Sequence, residues 1–230
     1  MLILISGATA TRRRFDSPYL GCLIVPGEGN DPFKGQAWAA DNGAFSGFDP
    51  EAFVLMLERL RKVEYSHRSC LFVAAPDVVG DYKRTLAKFS RWATVIRAFG
   101  FPVAFVAQNG ITPEQVPWIE FDCLFIGGSK QCNSCLWIQP IADRGKHCPK
   151  CHRKLVEWKL SAEAETLARI AKGYRKWVHM GRVNSFKRVH HAIRIGCDSL
   201  DGTTFTKWSD KYIPLGIAWV ERAHREPHLL

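Results

Sequence analysis

The chain has 230 residues, 47% of them hydrophobic and 23% charged, and a formal net charge of +10. That composition excludes a disordered chain and allows one sizeable core. The basic excess favours an anionic partner, nucleic acid first. No apolar run approaches the ~18 residues that a membrane span needs, so no membrane partner is expected. The apolar start, Met1-Leu2-Ile3-Leu4-Ile5, is too short for a signal-peptide core, and its arginines (Arg12, Arg13, Arg14) follow it instead of preceding it. A cytoplasmic, reducing setting is the expectation, in which the eight cysteines do not form a disulfide framework.

Strand-like runs fall at residues 2–6, 22–25, 37–41, 70–75, 103–108, 123–127, 177–180 and 197–201. Helical patterns lie between them. Asp49-Pro50 reads as an N-cap followed by an N1 proline, with Phe53, Leu57 and Leu60 on one face. Leu86, Phe89, Ala93 and Ile96 form a second apolar stripe. Thr112-Pro113 with Gln115 is a capping-box signature. Ala164, Leu167, Ala168 and Ala171 repeat at helical spacing, and Val189 and Ile193 mark a last crossover helix before Gly196. Alternation of this kind implies βαβ units and a parallel sheet. Eight strand candidates predict an α/β fold, a TIM-like (β/α)8 barrel spanning residues 1–230 as a single domain. An open doubly wound sheet is the alternative, weakened by the absence of a dinucleotide glycine fingerprint.

Residues 130–156 break the alternation. Cys132-x2-Cys135-x12-Cys148-x2-Cys151 pairs two CxxC knuckles, which suits four thiolates around one structural Zn2+. The segment is too small and polar to fold on an apolar core, so it reads as a zinc-binding insertion in a βα loop. Lys146, His147, Lys150, His152, Arg153 and Lys154 crowd the second knuckle and suit nucleic-acid contact. Cys22, Cys70, Cys123 and Cys197 lie in strand-like runs and read as core.

Three aspartates each close an apolar, strand-like stretch: Asp41, Asp77 and Asp201. Acids at the carboxyl ends of barrel strands converge on one face, where such folds do chemistry. Two carboxylates can divide the work at an anomeric carbon, one attacking and one handling protons. Capping of the next turn is the competing role for each. Gln108 and Gly127-Gly128 end two further strands. His179 reads as a packed barrel residue, with a pocket position as the alternative. His190-His191 read as a solvated helix face, and the relation of Asp198 to Asp201 is left open.

Together these residues resemble the tRNA-guanine transglycosylase superfamily. Asp41-Asn42-Gly43-Ala44-Phe45 is similar to its Asp-Ser-Gly-Gly-Phe motif, and Ala75-Pro76-Asp77 falls where the family has its base-reading aspartate. Val106-Ala107-Gln108-Asn109-Gly110 is similar to its Val-Gln-Gly strand end, and Phe125-Ile126-Gly127-Gly128-Ser129 to its Gly-Gly-Leu loop. His179-Met180-Gly181 resembles Leu-Met-Gly, and Gly196-Cys197-Asp198-Ser199-Leu200-Asp201 resembles Gly-Ile-Asp-Met-Phe-Asp. The family's usual zinc site, a CxCxxC with a distant His, is replaced here by the inserted array. The chain is also shorter than the bacterial tRNA enzymes. The resemblance is to the compact, mostly phage-associated DpdA-like branch that inserts 7-deazaguanines into DNA.

The resemblance implies base exchange in DNA, guanine being replaced by a 7-deazaguanine such as preQ0, in a bacterial or phage-infected cell. Asp201 would be the nucleophile at C1′ and Asp41 the general acid/base. Asp77 and Gln108 would bond the base edge, and Gly127, Gly128, Met180 and Gly181 would complete the base site. Arg12–Arg14, Lys172, Arg175, Lys176, Arg182, Lys187 and Arg188 would follow phosphates. The alternatives are tRNA as substrate, a nucleoside or glycoside hydrolase, and a non-catalytic zinc-containing nucleic-acid-binding protein. The oligomeric state, a homodimer included, is left open.

Overall fold

The computed structural model describes residues 1–7, 9–15, 17–143 and 145–225. Eight parallel strands close a barrel: β1 (Leu2–Ile5), β2 (Leu20–Ile24), β3 (Trp38–Ala40), β4 (Cys70–Ala74), β5 (Val103–Ala107), β6 (Cys123–Ile126), β9 (Trp177–Met180) and β10 (Ser199–Asp201). They neighbour one another in chain order, and β10 pairs with β1 to close the ring. Two further short strands, β7 (Lys130–Gln131) and β8 (Val156–Glu157), form an antiparallel pair at the base of the insertion. Every strand run read from the sequence is a barrel strand. The cause is visible in the burial: strands covered on both faces are apolar throughout, as β5 is with Val103–Ala107 fully buried.

Alternate residues divide two cores. Leu4, Leu23, Ala39, Phe72, Ala74, Ala104, Val106, Cys123 and Phe125 fill the barrel lumen. Their neighbours, among them Ile3, Trp38, Val73, Phe105, Leu124 and Met180, pack outward against helices. The helices are α1 (Thr9–Arg14), α2 (Pro50–Arg61), α3 (Ser66–Ser69), α4 (Tyr82–Ala98), α5 (Ala162–Gly173), α6 (Phe186–Arg194), α7 (Thr203–Lys207) and α8 (Ser209–Arg225). Asp49 caps α2 by accepting from Glu51 N and Ala52 N. The buried face of α5 is Ala164, Leu167, Ala168 and Ala171, the stripe that the spacing predicts.

The ring of helices is uneven. The capping box at Thr112 starts only a 3-10 turn, Pro113–Gln115, because Pro117 and the short path to β6 leave no room for a full helix. No helix links β2 to β3. Two arginines hold that loop instead: Arg12 donates to Gln36 Oε1 and the Asp31 carbonyl, both at 2.9 Å, and Arg59 donates to the carbonyls of Glu28 and Asn30, both at 3.0 Å. Arg12 is buried over the Phe33 ring, so it serves this loop and does not lie along a phosphate backbone.

The insertion is two copies of one turn. In the first, Cys132 N donates to the Trp137 carbonyl and Leu136 N to the Cys132 carbonyl. In the second, Cys148 N donates to Arg153 O and His152 N to Cys148 O. Leu136 and His152, each directly after a second cysteine, both adopt a left-handed backbone, φ 58° and 59°. Among the described residues no helix is long and apolar enough to cross a membrane.

Candidate functional site

The lumen parity continues past the strand ends and builds the site. Inward positions run Ala39 to Asp41, Val106 to Gln108, Phe125 to Gly127, His179 to Gly181 and Ser199 to Asp201. All five end residues line one cleft, joined there by Asn42, Phe45, Asp77, Gly128 and Arg182. The cleft itself is narrow, with a cavity volume of about 80 Å³, below the roughly 300–1,000 Å³ of typical small-molecule sites, so a purine needs its mouth to widen. Met180 is the exception among the residues read from sequence. It has the opposite parity, is fully buried in the outer core, and does not line the cleft.

A hydrogen-bonded network forms one wall. Asn42 Nδ2 donates to the Ala75 carbonyl at 2.8 Å and to Asp77 Oδ1 at 2.9 Å. Gln108 Nε2 donates to Asp77 Oδ2 at 2.6 Å. The other end of Gln108 is fixed too, since its Oε1 accepts from Gly80 N at 2.8 Å and Gly128 N at 3.1 Å. These bonds leave Asp77 with further carboxylate lone pairs and Gln108 Nε2 with a second N–H, groups that can pair with the edge of a flat polar ring. Burial pushes the Asp77 pKa up to about 6, against the pull of the Asn42 amide.

Asp41 and Asp201 line the same cleft, close enough for their charges to interact. Burial, then the negative charge of Asp201, raises the Asp41 pKa to about 6. A carboxyl group poised there can give and take a proton near neutral pH. Asp201 is held on both oxygens: Oδ1 accepts from Arg182 N at 3.2 Å and Oδ2 lies 3.0 Å from His179 Nε2. Gly181 lets the Phe125 ring pack beneath the site, because a Cβ there would sit 2.6 Å from that ring. Gly128, at φ +80°, lies against Trp158, which a Cβ would meet at 2.6 Å.

Two basic residues join the site: the sequence reading missed Lys159 and gave Arg182 only a phosphate-following role. Arg182, with a left-handed φ of 58°, donates to the Gly128 carbonyl and lies over Phe45 with its Cζ 4.5 Å from the ring centroid. Lys159 is buried, donates to the carbonyls of Gly181 at 2.7 Å and Arg182 at 3.1 Å, and has its pKa lowered to about 7, first by burial and then by Arg182. Both line a second, outer cleft between the barrel mouth and the insertion, with Lys130, Gln139, Ile141 and Arg188. No sequence pattern flags Lys159. Arg182 is flagged by its charge and by following Gly181, but neither places it over Phe45 at the cleft.

Other expected positions lie elsewhere. Asp198 sits at the opposite end of the barrel, where it accepts from Lys172 Nζ at 2.7 Å and from Val178 N at 2.8 Å, so it has no share in the Asp201 site. Lys176, donating to the Phe121 carbonyl, is at that far end as well. Arg14 pairs with Asp210 and Arg188 with Glu157. His190 and His191 are half-buried against the groove beside the insertion, not solvated.

The four insertion cysteines converge. Their sulfurs all lie within 4.8 Å of one another, with separations of 3.3 Å (Cys132 to Cys151), 3.5 Å (Cys135 to Cys148) and 3.9 Å (Cys135 to Cys151). A tetrahedron of thiolates around zinc at ~2.3 Å spaces its sulfurs by about 3.8 Å, so the set fits such an ion. The backbone N–H groups of Cys135 and Ser134 point at the Cys132 sulfur, where they can stabilise a thiolate. A scan against protein-family models and a search of curated proteins both give no match to this chain.

Proposed function

We propose that this chain is a base-exchange glycosyltransferase that replaces guanine in DNA by a 7-deazaguanine such as preQ0. The observation that carries the reading is the ring of inward strand-end residues, which brings Asp41, Gln108 and Asp201 to one cleft with Asp77. An Asp201 oxygen attacks C1′ of the target nucleotide. The bond from C1′ to the purine nitrogen breaks, its electron pair goes to the base, and Asp41 supplies the proton that lets guanine leave. The incoming base gives its ring N–H proton back to Asp41 and attacks C1′, and the Asp201 carboxylate departs. Asp77 and Gln108 select the base, since a purine that cannot pair with them leaves buried polar groups unsatisfied. The target nucleotide leaves its stack to reach the cleft.

Cys132, Cys135, Cys148 and Cys151 would hold a structural zinc ion. Bound there, the ion supplies folding free energy to the insertion, on the order of 10–16 kcal/mol in isolated zinc peptides. Four thiolates leave it no open position for substrate.

The test is incorporation of labelled guanine and of preQ0 into duplex DNA and into tRNA by the purified protein. We expect incorporation into DNA, and Asp201→Ala and Asp41→Asn each to lower it by at least about 10³-fold. Exchange into tRNA alone would move the substrate. Release of free sugar with abundant base present would identify a hydrolase instead.

A further inference from the structure

Below Asp201 the apolar lumen contains a chain of polar groups. Trp177 Nε1 donates to Ser199 Oγ at 2.8 Å, Ser199 Oγ lies 2.8 Å from His179 Nδ1, and His179 Nε2 lies 3.0 Å from Asp201 Oδ2. His179 and Ser199 are fully buried. The imidazole ring is wedged between Phe72 and Phe125, with centroids 5.0 and 4.5 Å away. The barrel register sets this up: Ser199 on β10 pairs with His179 on β9, and both face inward.

Donor and acceptor accounting gives the chain a direction. The indole N–H can only donate, so Ser199 Oγ accepts from Trp177. The serine proton then needs an acceptor, because a buried hydroxyl without one costs the full desolvation of that group. Among the described residues its one neighbour of that kind is His179 Nδ1. Nδ1 therefore accepts, and the ring proton is on Nε2, directed at Asp201.

We infer that His179 is a positioning residue for the attacking carboxylate, the last donor of a chain running Trp177 to Ser199 to His179 to Asp201. The assignment of a role in base exchange rests on the proposed function, whereas the donor chain itself does not. Oδ2 is held from inside the barrel by His179, while Oδ1 has the longer contact, to Arg182 N beyond the strand end. Oδ1 is thus the atom that attacks C1′, and Oδ2 becomes the carbonyl oxygen of the glycosyl ester. When the ester breaks, the electron pair of the C1′–Oδ1 bond returns to the carboxylate, and the Nε2–H stabilises the charge shared onto Oδ2. This donor acts most strongly as the intermediate breaks down.

Two measurements test the inference. In protein labelled with 15N-histidine, the His179 ring should show the Nε2–H tautomer, and Ser199→Ala or Trp177→Phe should convert it to a mixture. In single-turnover reactions with oligonucleotide DNA and preQ0, His179→Leu should slow breakdown of the covalent Asp201 adduct by about 10²-fold with little change in KM for the base. His179→Gln, which restores an N–H donor, should recover it to within about tenfold. An Nδ1–H tautomer in the wild type, or adduct breakdown at the wild-type rate in His179→Leu, would overturn the inference. If His179→Leu fails to fold, the Ser199→Ala and Trp177→Phe variants carry both readouts. If the tautomer is as expected and the wild type forms no adduct with any nucleic acid, the donor chain stands and the base-exchange reading falls.

Discussion

Asp41 and Asp77 both have carboxyl groups whose pKa in the folded protein is about 6, above the ordinary 3.8. The folded state therefore binds more protons than the unfolded chain between those values. By linkage, stability falls as pH rises from about 4 to about 6 and is level beyond that. Each shift of roughly two units corresponds to about 3 kcal/mol at most. Asp41→Asn removes one such group. We expect it to raise stability at pH 7.5 by about 1–3 kcal/mol, to leave it nearly unchanged at pH 4, and to abolish exchange. Urea denaturation at the two pH values measures this, and equal stability of variant and wild type at pH 7.5 would contradict it. At this scale the sequence was legible where a side chain ends an apolar run. Asp41, Asp201 and Gln108 are of that kind. His179 was not, because its partners Ser199 and Asp201 lie 20 and 22 residues away and meet it only through barrel register, which motif spacing does not express. Met180 followed from a motif, but strand parity turns it outward.

Single elements show where local patterns suffice. All eight barrel strands and the helices α2, α4, α5 and α6 follow from apolar periodicity and caps. The capping box at Thr112 is present, yet a cap specifies where a helix starts and not how far it runs. Helix α8 was illegible because Pro214 lies inside it. A proline costs a helix interior about 3 kcal/mol, and tertiary packing of Ile213, Gly216, Val220 and Ala223 offsets that cost. The insertion is the converse case, since cysteine spacing alone showed it. Outside the sulfur cluster its own core is little more than Leu155, with Trp137 packed against it. We expect the purified protein to contain one zinc per chain. Chelation should expose residues 130–156 to protease while the barrel keeps its circular dichroism. Protein without bound metal that resists protease in this segment would rule out the structural role.

Across the whole molecule the positive charge is divided between two ends. Lys130, Arg182 and Arg188 line the outer cleft at the mouth, whereas Lys172 and Lys176 serve the far end of the barrel. A nucleic acid that presents a nucleotide to Asp201 would meet only the first group. Lys130→Ala with Lys187→Ala, the latter in the adjoining groove beside the insertion, should therefore weaken DNA binding and reduce the slope of log K against log salt by about one to two. Arg175→Ala, an exposed change toward the far end, should leave both unchanged. Fluorescence anisotropy at several salt concentrations checks this, and an equal loss from Arg175→Ala would show that the charge acts diffusely. The closing strand pair has a temporal meaning as well. Asp201 stands in register with Leu4, so the proposed attacking acid lies where the first and last barrel strands meet. On the ribosome β1 emerges long before β10, and every other wall of the cleft can assemble while that gap is open. On the proposed function, the nascent chain would be chemically silent, and competence to cut a glycosidic bond would arrive only with the last strand to dock.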